Sequence, residues 1–481
     1  MLKIKRIPVS RRIYSYRYMS NTVECVTSLL NIEDIPRRKT LPVIGTKLEF
    51  LAAGSGSKLH DYINMRHKQL GPIFREKLGG NTDLVFVSDP MLIRTLLLNL
   101  EGKYPAHILP EPWVLYEKLY GSKRGLFFMN GEEWLDNRRI LNKYFLKEGS
   151  ENWLEGPVKA TVNKFIQNWK GKAGNAHFVP DLESEFYRLS IDVIVAVMLG
   201  NKSTVTLGKH YETLLKSFSE SVKRIFQTTT KLYGLPINLC QKLNLKVWRE
   251  FKECVDISLL LAHKIVNEIL NNKQDTNGLV KILSDDNMNS ANIKKIIGDF
   301  VIAAGDTTSY TSLWSLYLLS KCEITREEIS KNHSLTNNAL KESMRLYPVA
   351  PFLTRILPKE SILGPYKLNA GTPIIASIYT SGRDENNFSK ADEFLPYRWD
   401  RNDARKKLLA NHITFASLPF ALGARSCIGK KMAMLQMNEL ITQIIDNFDF
   451  KCLNNNEVNA NTSQVLVPST NIKLSFSLKT R

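Results

Sequence analysis

Phe420-Ala-Leu-Gly423-Ala-Arg425-Ser-Cys427-Ile-Gly429 places one cysteine just after a glycine-bounded turn and just before a run of helix formers, Lys430 to Leu440. That spacing puts the sulfur at a helix N-terminus, where backbone N–H groups and the helix dipole favour a thiolate over a thiol. No second Cys or His stands beside it at zinc spacing. A thiolate offered as a lone protein ligand suits an iron already held by four other donors, and haem is such an iron. Gly423 lets the chain bend under a flat ring, and Gly429 keeps side-chain bulk away from the sulfur. Phe420 can shield the thiolate with its ring, and Arg425 can reach a haem propionate.

The chain has 481 residues, 43% hydrophobic and 23% charged, an ordinary globular composition with ample length for a large core. Length alone suggests two or three domains, but the motifs spread over one unit. Residues 1–23 carry Lys3, Lys5, Arg6, Arg11, Arg12 and Arg17, and no acid precedes Glu24. This is the composition of a mitochondrial transit peptide. No apolar run near the N-terminus reaches the roughly 18 residues of a spanning helix. The net charge is +19, and setting those six basic residues aside leaves 60 basic against 47 acidic, or +13. The excess suits an anionic membrane or an acidic protein; without a zinc finger, an RNP-type aromatic box or a basic helix motif, no nucleic acid partner is expected. Six cysteines (25, 240, 254, 322, 427 and 452) lie scattered without paired spacing, as expected in a reducing compartment.

Residues 24–46 form a proline-containing lead-in, in which Pro36, Pro42 and Gly45 make a stiff, non-helical run. Residues 47–481 read as a single domain. Leu84 to Val87 reads as a strand ending in a turn at Asp89-Pro90, and strand-like pieces return in Pro373–Tyr379 and Asn471–Leu478. From about residue 91 to 345 most segments read as helix, Val255 to Leu270 among them. Asn271 to Asn289 is polar and reads as a surface loop.

Ser290 to Ser320 predicts one long helix, roughly 46 Å at 1.5 Å per residue. Ile293, Ile296, Ile297, Phe300, Val301 and Ala304 mark its apolar face. Inside it lies Ala303-Ala304-Gly305-Asp306-Thr307-Thr308, whose small residues and back-bonding hydroxyls loosen the ladder and create room. An acid followed by two hydroxyls in an apolar stretch is costly without a task. Trp134 and Arg138 stand at i and i+4 on one helix face, both hydrogen-bond donors. Glu342 and Arg345 form an i, i+3 acid–base pair on a helix that Pro348 ends.

These elements resemble cytochromes P450, from about Ile35 to the C-terminus and in the same order. The decapeptide is similar to that family's cysteine-ligand loop, with every fixed position filled. The resemblance implies a mainly α fold, a helix-rich domain with small β-sheets and a buried haem b whose iron Cys427 ligates. It implies that Trp134, Arg138 and Arg355 join Arg425 in holding propionates, and that Asp306 and Thr307 relay protons to bound dioxygen. It further implies that Glu342, Arg345 and Arg398, the last in Phe394-Leu-Pro396-Tyr-Arg398-Trp399, form a buried structural network. Ala304 stands where many relatives have Gly. Lys341, Lys430 and Lys431 resemble the basic residues with which mitochondrial members dock an acidic ferredoxin of adrenodoxin type, itself reduced by its NADPH-dependent reductase. Asn337 occupies a position that is often basic. Arg66–Gly80, Gly125–Met129, Trp134–Asn142 and Leu346–Phe352 are similar to insect mitochondrial members that hydroxylate ecdysteroids at carbon 2. That similarity implies a monooxygenase turning 2-deoxyecdysone into ecdysone, seated peripherally on the matrix side of the inner mitochondrial membrane. A sister 22-hydroxylase is the nearest alternative. A non-oxidative haem–thiolate isomerase or steroid-binding protein is a more distant one, against which the intact Asp306 and Thr307 argue. The candidate pocket walls are Tyr104 to Phe128, the apolar face of the long helix and Val349 to Leu353.

Overall fold

The computed structural model describes residues 29–38, 45–78, 82–121, 126–173, 177–200, 209–233, 235–271 and 277–479. The leader, residues 1–23, lies outside them, as do 24–28 and 39–44 of the lead-in and the stretch 122–125 of the expected pocket wall. Six helices position the site: α1 (Gly131–Phe145), α2 (Leu182–Leu199), α3 (Lys209–Leu232), α4 (Ser290–Ser320), α5 (Thr336–Leu346) and α6 (Lys430–Asn447). Four strands, β1 (Ile73–Glu76), β2 (Leu84–Val87), β3 (Phe352–Ile356) and β4 (Pro373–Ser377), make a sheet in the order β1-β2-β4-β3. β2 and β4 run parallel, Val85 opposite Ile374; the other pairs are antiparallel, with Phe74 opposite Phe86 and Arg355 opposite Ile374. Three smaller sheets of two or three short strands complete the β-structure of the described residues. The fold is mainly α, as expected.

α4 spans the residues that the sequence predicts for it. Ile293, Ile296, Ile297, Phe300 and Val301 are buried, and from Thr308 to Leu319 every residue is buried, so its second half is enclosed on all sides. α2, α5 and α6 pack around it. Four hydroxyls along it take the carbonyl one turn back: Thr307 Oγ1 donates to Ala303 O at 2.7 Å, Thr311 to Thr307 O at 2.8 Å, Ser312 to Thr308 O at 2.9 Å and Ser315 to Thr311 O at 2.8 Å. Gly305 is required by packing: a Cβ there would lie 2.6 Å from the Tyr187 ring on α2.

Three local expectations change. Asp89-Pro90 opens a helix, Pro90–Thr95, where a turn was expected; Asp89 Oδ1 caps it by accepting Leu92 N–H at 2.9 Å, and proline takes the first helical position. The strand predicted through Tyr379 stops at Ser377 and becomes the short helix Ile378–Gly382. The stretch Asn271–Asn289 contains a seven-residue helix, Leu279–Asp285, because Leu279, Val280 and Leu283 all find the core. Val255–Leu270 falls within the helix Lys246–Asn271, and the last strand is Leu474–Leu478.

Glu342 sits at the centre of a closed charge network. Its side chain and those of Arg345 and Arg398 have no exposed surface. Arg345 Nε and Nη2 reach the carboxylate at 2.9 and 2.8 Å, Arg398 Nε at 2.8 Å, Trp399 Nε1 at 2.8 Å and Leu395 N–H at 3.0 Å. Burial pushes the Glu342 carboxyl up, but the two guanidinium groups outweigh it and hold the group below its ordinary value. Arg345 also donates to the carbonyls of Gly382 and Glu393 at 2.7 and 2.9 Å, and Arg398 to that of Ser389 at 3.0 Å. α5 is thereby tied to the irregular segment that leads toward the cysteine loop. Removing one partner strands a buried charge, so Arg398→Ala is expected to lower stability by roughly 3–5 kcal/mol, read as the shift in denaturant midpoint.

Candidate functional site

The cysteine loop is a tight backbone fold. Ala421 N–H donates to Leu418 O at 3.0 Å, Ser426 N–H to Gly423 O at 3.1 Å and Cys427 N–H to Phe420 O at 2.9 Å. Gly423 has φ of +77°, and a Cβ there would fall 2.1 Å from Leu97 O, so only glycine fits the bend. Gly429 differs: its φ is −82°, and a Cβ would meet nothing nearer than Met432 Cε at 4.0 Å. Glycine there is not demanded by the polypeptide itself. Cys427 lies two residues before the Gly429 N-cap of α6. The residue has accessible surface, yet protein surrounds it at longer range. Burial is the larger effect and leaves the thiol above its ordinary value, against the thiolate expected of a helix N-terminus; hydrogen bonds from the Gly429 and Lys430 amides and the charges of Arg138 and Lys430 offset it only in part. A bound cation would tip that balance to the thiolate. Among the described residues no group of three His, Cys, Asp or Glu side chains could hold a metal ion.

Beside the loop, three arginines converge. Trp134 and Arg138 are both buried on one face of α1. Arg425 lies 4.2 Å above the Trp134 ring and donates to the carbonyls of Pro105 and Met129 at 2.9 and 2.8 Å. Arg138 Nη2 donates to Ser426 O at 2.7 Å. Arg355, on β3, gives Nε to Glu101 Oε2 at 2.7 Å, and Glu101 Oε1 accepts Ala424 N–H at 2.8 Å. Burial, with the neighbouring charges of Arg355 and Arg138, pushes Arg425 down to about 10. Glu101 is the single carboxylate in this set, which leaves two positive charges in excess. Arg138 Nε and Arg355 Nη2 are buried without a partner. Unpaired guanidinium N–H groups at low dielectric call for anions, and two carboxylates match them in charge. The propionates of a haem are such a pair, and the residues present fit that group.

Asp306 and Thr307 take different sides of α4, since successive residues of an α-helix point about 100° apart. Thr307 is half-buried and bonds Ala303 O. Asp306 is 1% exposed and faces α2 and α3. Its Oδ2 and the Tyr187 hydroxyl, both buried, have no partner. Burial raises its carboxyl to about 7; Lys223 opposes and Glu183 reinforces the rise. Glu183 itself holds Lys223 Nζ at 2.8 Å and accepts the Tyr310 hydroxyl. Lys341 and Lys430 converge on the surface, where burial and the charges of Lys430 and Arg401 depress the Lys341 ammonium. Lys431 is engaged elsewhere: its Nζ donates to Lys147 O at 2.7 Å and Ser150 Oγ at 3.1 Å. Phe420 is half-buried, its ring 5.9 Å from Lys430 Nζ. Glu101, His107, Tyr187, Glu183, Lys223 and Arg401 join the site without any local motif to announce them.

A family model described as Cytochrome P450 matches residues 36–476. The chain is 37% identical over 469 residues to cytochrome P450 315a1, mitochondrial, of Drosophila melanogaster, covering 93% of this chain and 89% of the relative. It is 28% identical over 467 residues to 1,25-dihydroxyvitamin D(3) 24-hydroxylase, mitochondrial, of Rattus norvegicus, with the same coverage. With the cholesterol side-chain cleavage enzyme, mitochondrial, of Oncorhynchus mykiss it shares 26% identity over 456 residues, 87% of this chain and 85% of the relative.

A charge on Asp306 is costly, because its side chain is buried and its Oδ2 has no partner. Its carboxyl titrates near 7 in the folded protein against 3.8 ordinarily. Below about pH 4 both folded and unfolded forms are protonated and nothing is lost. Between 4 and 7 the unfolded chain gives up the proton and the folded one keeps it, so a penalty of up to roughly 4 kcal/mol builds and is complete above 7. Asp306→Asn is expected to gain in Tm relative to the parent as pH rises from 5 to 8, measured by thermal denaturation across that range.

Proposed function

The chain belongs to the cytochrome P450 family, whose members are haem b monooxygenases, and on that premise we propose that it hydroxylates an ecdysteroid precursor at carbon 2, 2-deoxyecdysone to ecdysone. The supporting observation is the 37% identity, along 93% of the chain, to an insect mitochondrial member. It is joined by the local similarity of Arg66–Gly80, Gly125–Met129, Trp134–Asn142 and Leu346–Phe352 to insect ecdysteroid hydroxylases. The names of the vertebrate relatives, a vitamin D hydroxylase and a cholesterol side-chain cleavage enzyme, point to the same broad substrate class.

In this reading Cys427 ligates the iron, Phe420 shields its sulfur, and Trp134, Arg138, Arg355 and Arg425 hold the propionates. The haem supplies the activation of dioxygen. Thr307 holds a proton on the half-buried flank of α4, and Asp306, kept near neutrality by burial, holds one on the enclosed flank. The apolar face of α4, with 104–128 and 349–353, orients a rigid steroid and excludes water. Electrons come from NADPH through a reductase and a ferredoxin of adrenodoxin type, which docks on Lys341 and Lys430, with Arg401 beside them. Residues 1–23 act as the mitochondrial address. Among the described residues no helix is long and apolar enough to cross a membrane. Leu235, Leu239, Leu243 and Leu245, 36–61% exposed around the helix Ile237–Lys242, are flanked by the exposed Lys242 and Lys246. This mixture suits a peripheral seat on an anionic bilayer.

Incubation with 2-deoxyecdysone, NADPH, reductase and ferredoxin, followed by mass spectrometry, is expected to yield the 2-hydroxylated product. Hydroxylation at carbon 22 with none at carbon 2 would move the chain to the 22-hydroxylase. Thr307→Ala should keep haem and substrate binding but divert reducing equivalents to hydrogen peroxide, seen as less product per NADPH consumed. Lys341→Glu with Lys430→Glu should raise the KM for ferredoxin by about tenfold or more and leave peroxide-driven turnover close to the parent's, and added salt should mimic the effect in the parent.

A further inference from the structure

The geometry points to His107 as a further ligand of the haem carboxylates, donating an Nε2–H to the same anionic pair that the arginines face. This rests on the haem of the family seated between Cys427 and the arginine cluster. His107 is not placed by a flexible loop. Ala106 pairs with Ile356, whose N–H donates to Ala106 O at 2.9 Å, and Ile108 N–H donates to Thr354 Oγ1 at 3.0 Å. The two anchors on β3 straddle Arg355, so the backbone on either side of His107 is registered against the strand that carries that guanidinium. One residue earlier, Pro105 O accepts Arg425 Nε. The imidazole rests against the Phe127 ring, 4.6 Å between centroids.

Thus fixed, the ring presents a buried Nε2 with no hydrogen-bond partner, the same condition as Arg138 Nε and Arg355 Nη2. Burial and the charges of Arg425 and Arg355 push the imidazole down to about 3, so it stays neutral and keeps one N–H to give. The three arginines beside it exceed the one carboxylate of Glu101 in charge, so an anionic oxygen is the acceptor most strongly favoured there. A neutral donor adds a bond to the carboxylate without adding to the repulsion among three crowded cations.

The test is haem retention by the ferric holoenzyme, followed as transfer to excess apomyoglobin. His107→Phe keeps an aromatic ring against Phe127 but has no donor, and His107→Gln keeps a donor without the ring. Transfer should quicken roughly tenfold in His107→Phe and stay within about twofold of the parent in His107→Gln, the loss expected for one hydrogen bond to a charged group. A parental rate in His107→Phe overturns the assignment, and so does a His107→Gln as leaky as His107→Phe, which would mean that only the ring packing matters. Unchanged transfer with a weakened steroid-induced Soret shift would place Nε2 against the substrate and overturn it equally. The Soret band of the reduced carbon monoxide complex reports the Cys427 thiolate separately. Its loss in the parent strikes at the family premise, whereas a normal band with unchanged transfer strikes at His107 alone.

Discussion

Glu342 is a full negative charge with no exposed surface, and α5 and the segment around Leu395–Trp399 are arranged to make that tolerable. Five donors converge on its two oxygens: three from Arg345 and Arg398, the Trp399 indole and the Leu395 amide. Desolvating a carboxylate costs several kcal/mol, returned only if every partner stays in place. The requirement therefore reaches beyond the acid. Arg345 spends its remaining N–H groups on the carbonyls of Gly382, Ala391 and Glu393, and Arg398 uses its own on Ser389 and Lys390. A segment with almost no regular secondary structure is thereby held as firmly as a strand. The cysteine loop is the next piece of chain after that segment.

The arginine cluster on the other side of the loop is the electrostatic opposite. Around Glu342 every acceptor and nearly every donor is used, and the charges close on themselves. Around Cys427, Arg138, Arg355 and Arg425 meet a single carboxylate, Glu101, and nitrogen donors are left over. A closed network makes structure, and an open one makes a binding site. The two are assembled from the same residue types, and what separates them is whether the polypeptide supplies the last acceptors. Glu101 works for both purposes, since one oxygen orients Arg355 and the other fixes the loop at Ala424.

Much of this is legible in the sequence, for physical reasons. α4 could be read to both ends because its thirty-one residues hold no proline and keep an apolar face at helical spacing. The decapeptide was legible because a positive φ, a sulfur and a helix start occur within a few residues. What stayed hidden depended on distance or on three dimensions. Glu101 and Arg355 are 254 positions apart, and neither carries a local mark of the other. Lys430 and Lys431 look alike in sequence; only the fold brings Lys147 O within reach of the second. Asp306 and Thr307 are neighbours in the chain, yet helical geometry sends them to different flanks. The helix Leu279–Asp285 was hidden because its three core contacts are spread over too few residues to set up a period among polar neighbours.

Arg355 is mounted on a strand, and this has a consequence for how the protein matures. Its guanidinium reaches the loop because Arg355 stands opposite Ile374 in the β3–β4 ladder. A slip of one residue in that pairing would turn the side chain to the other face of the sheet. It would also remove Thr354 and Ile356 from the chain around residue 107. Such a chain would still possess its cysteine but would lack one of its three cations. In the proposed reading, where Arg355 holds a haem carboxylate, capture of the cofactor would favour the correct register over a slipped one, because only the correct β3–β4 pairing brings all three cations to the loop.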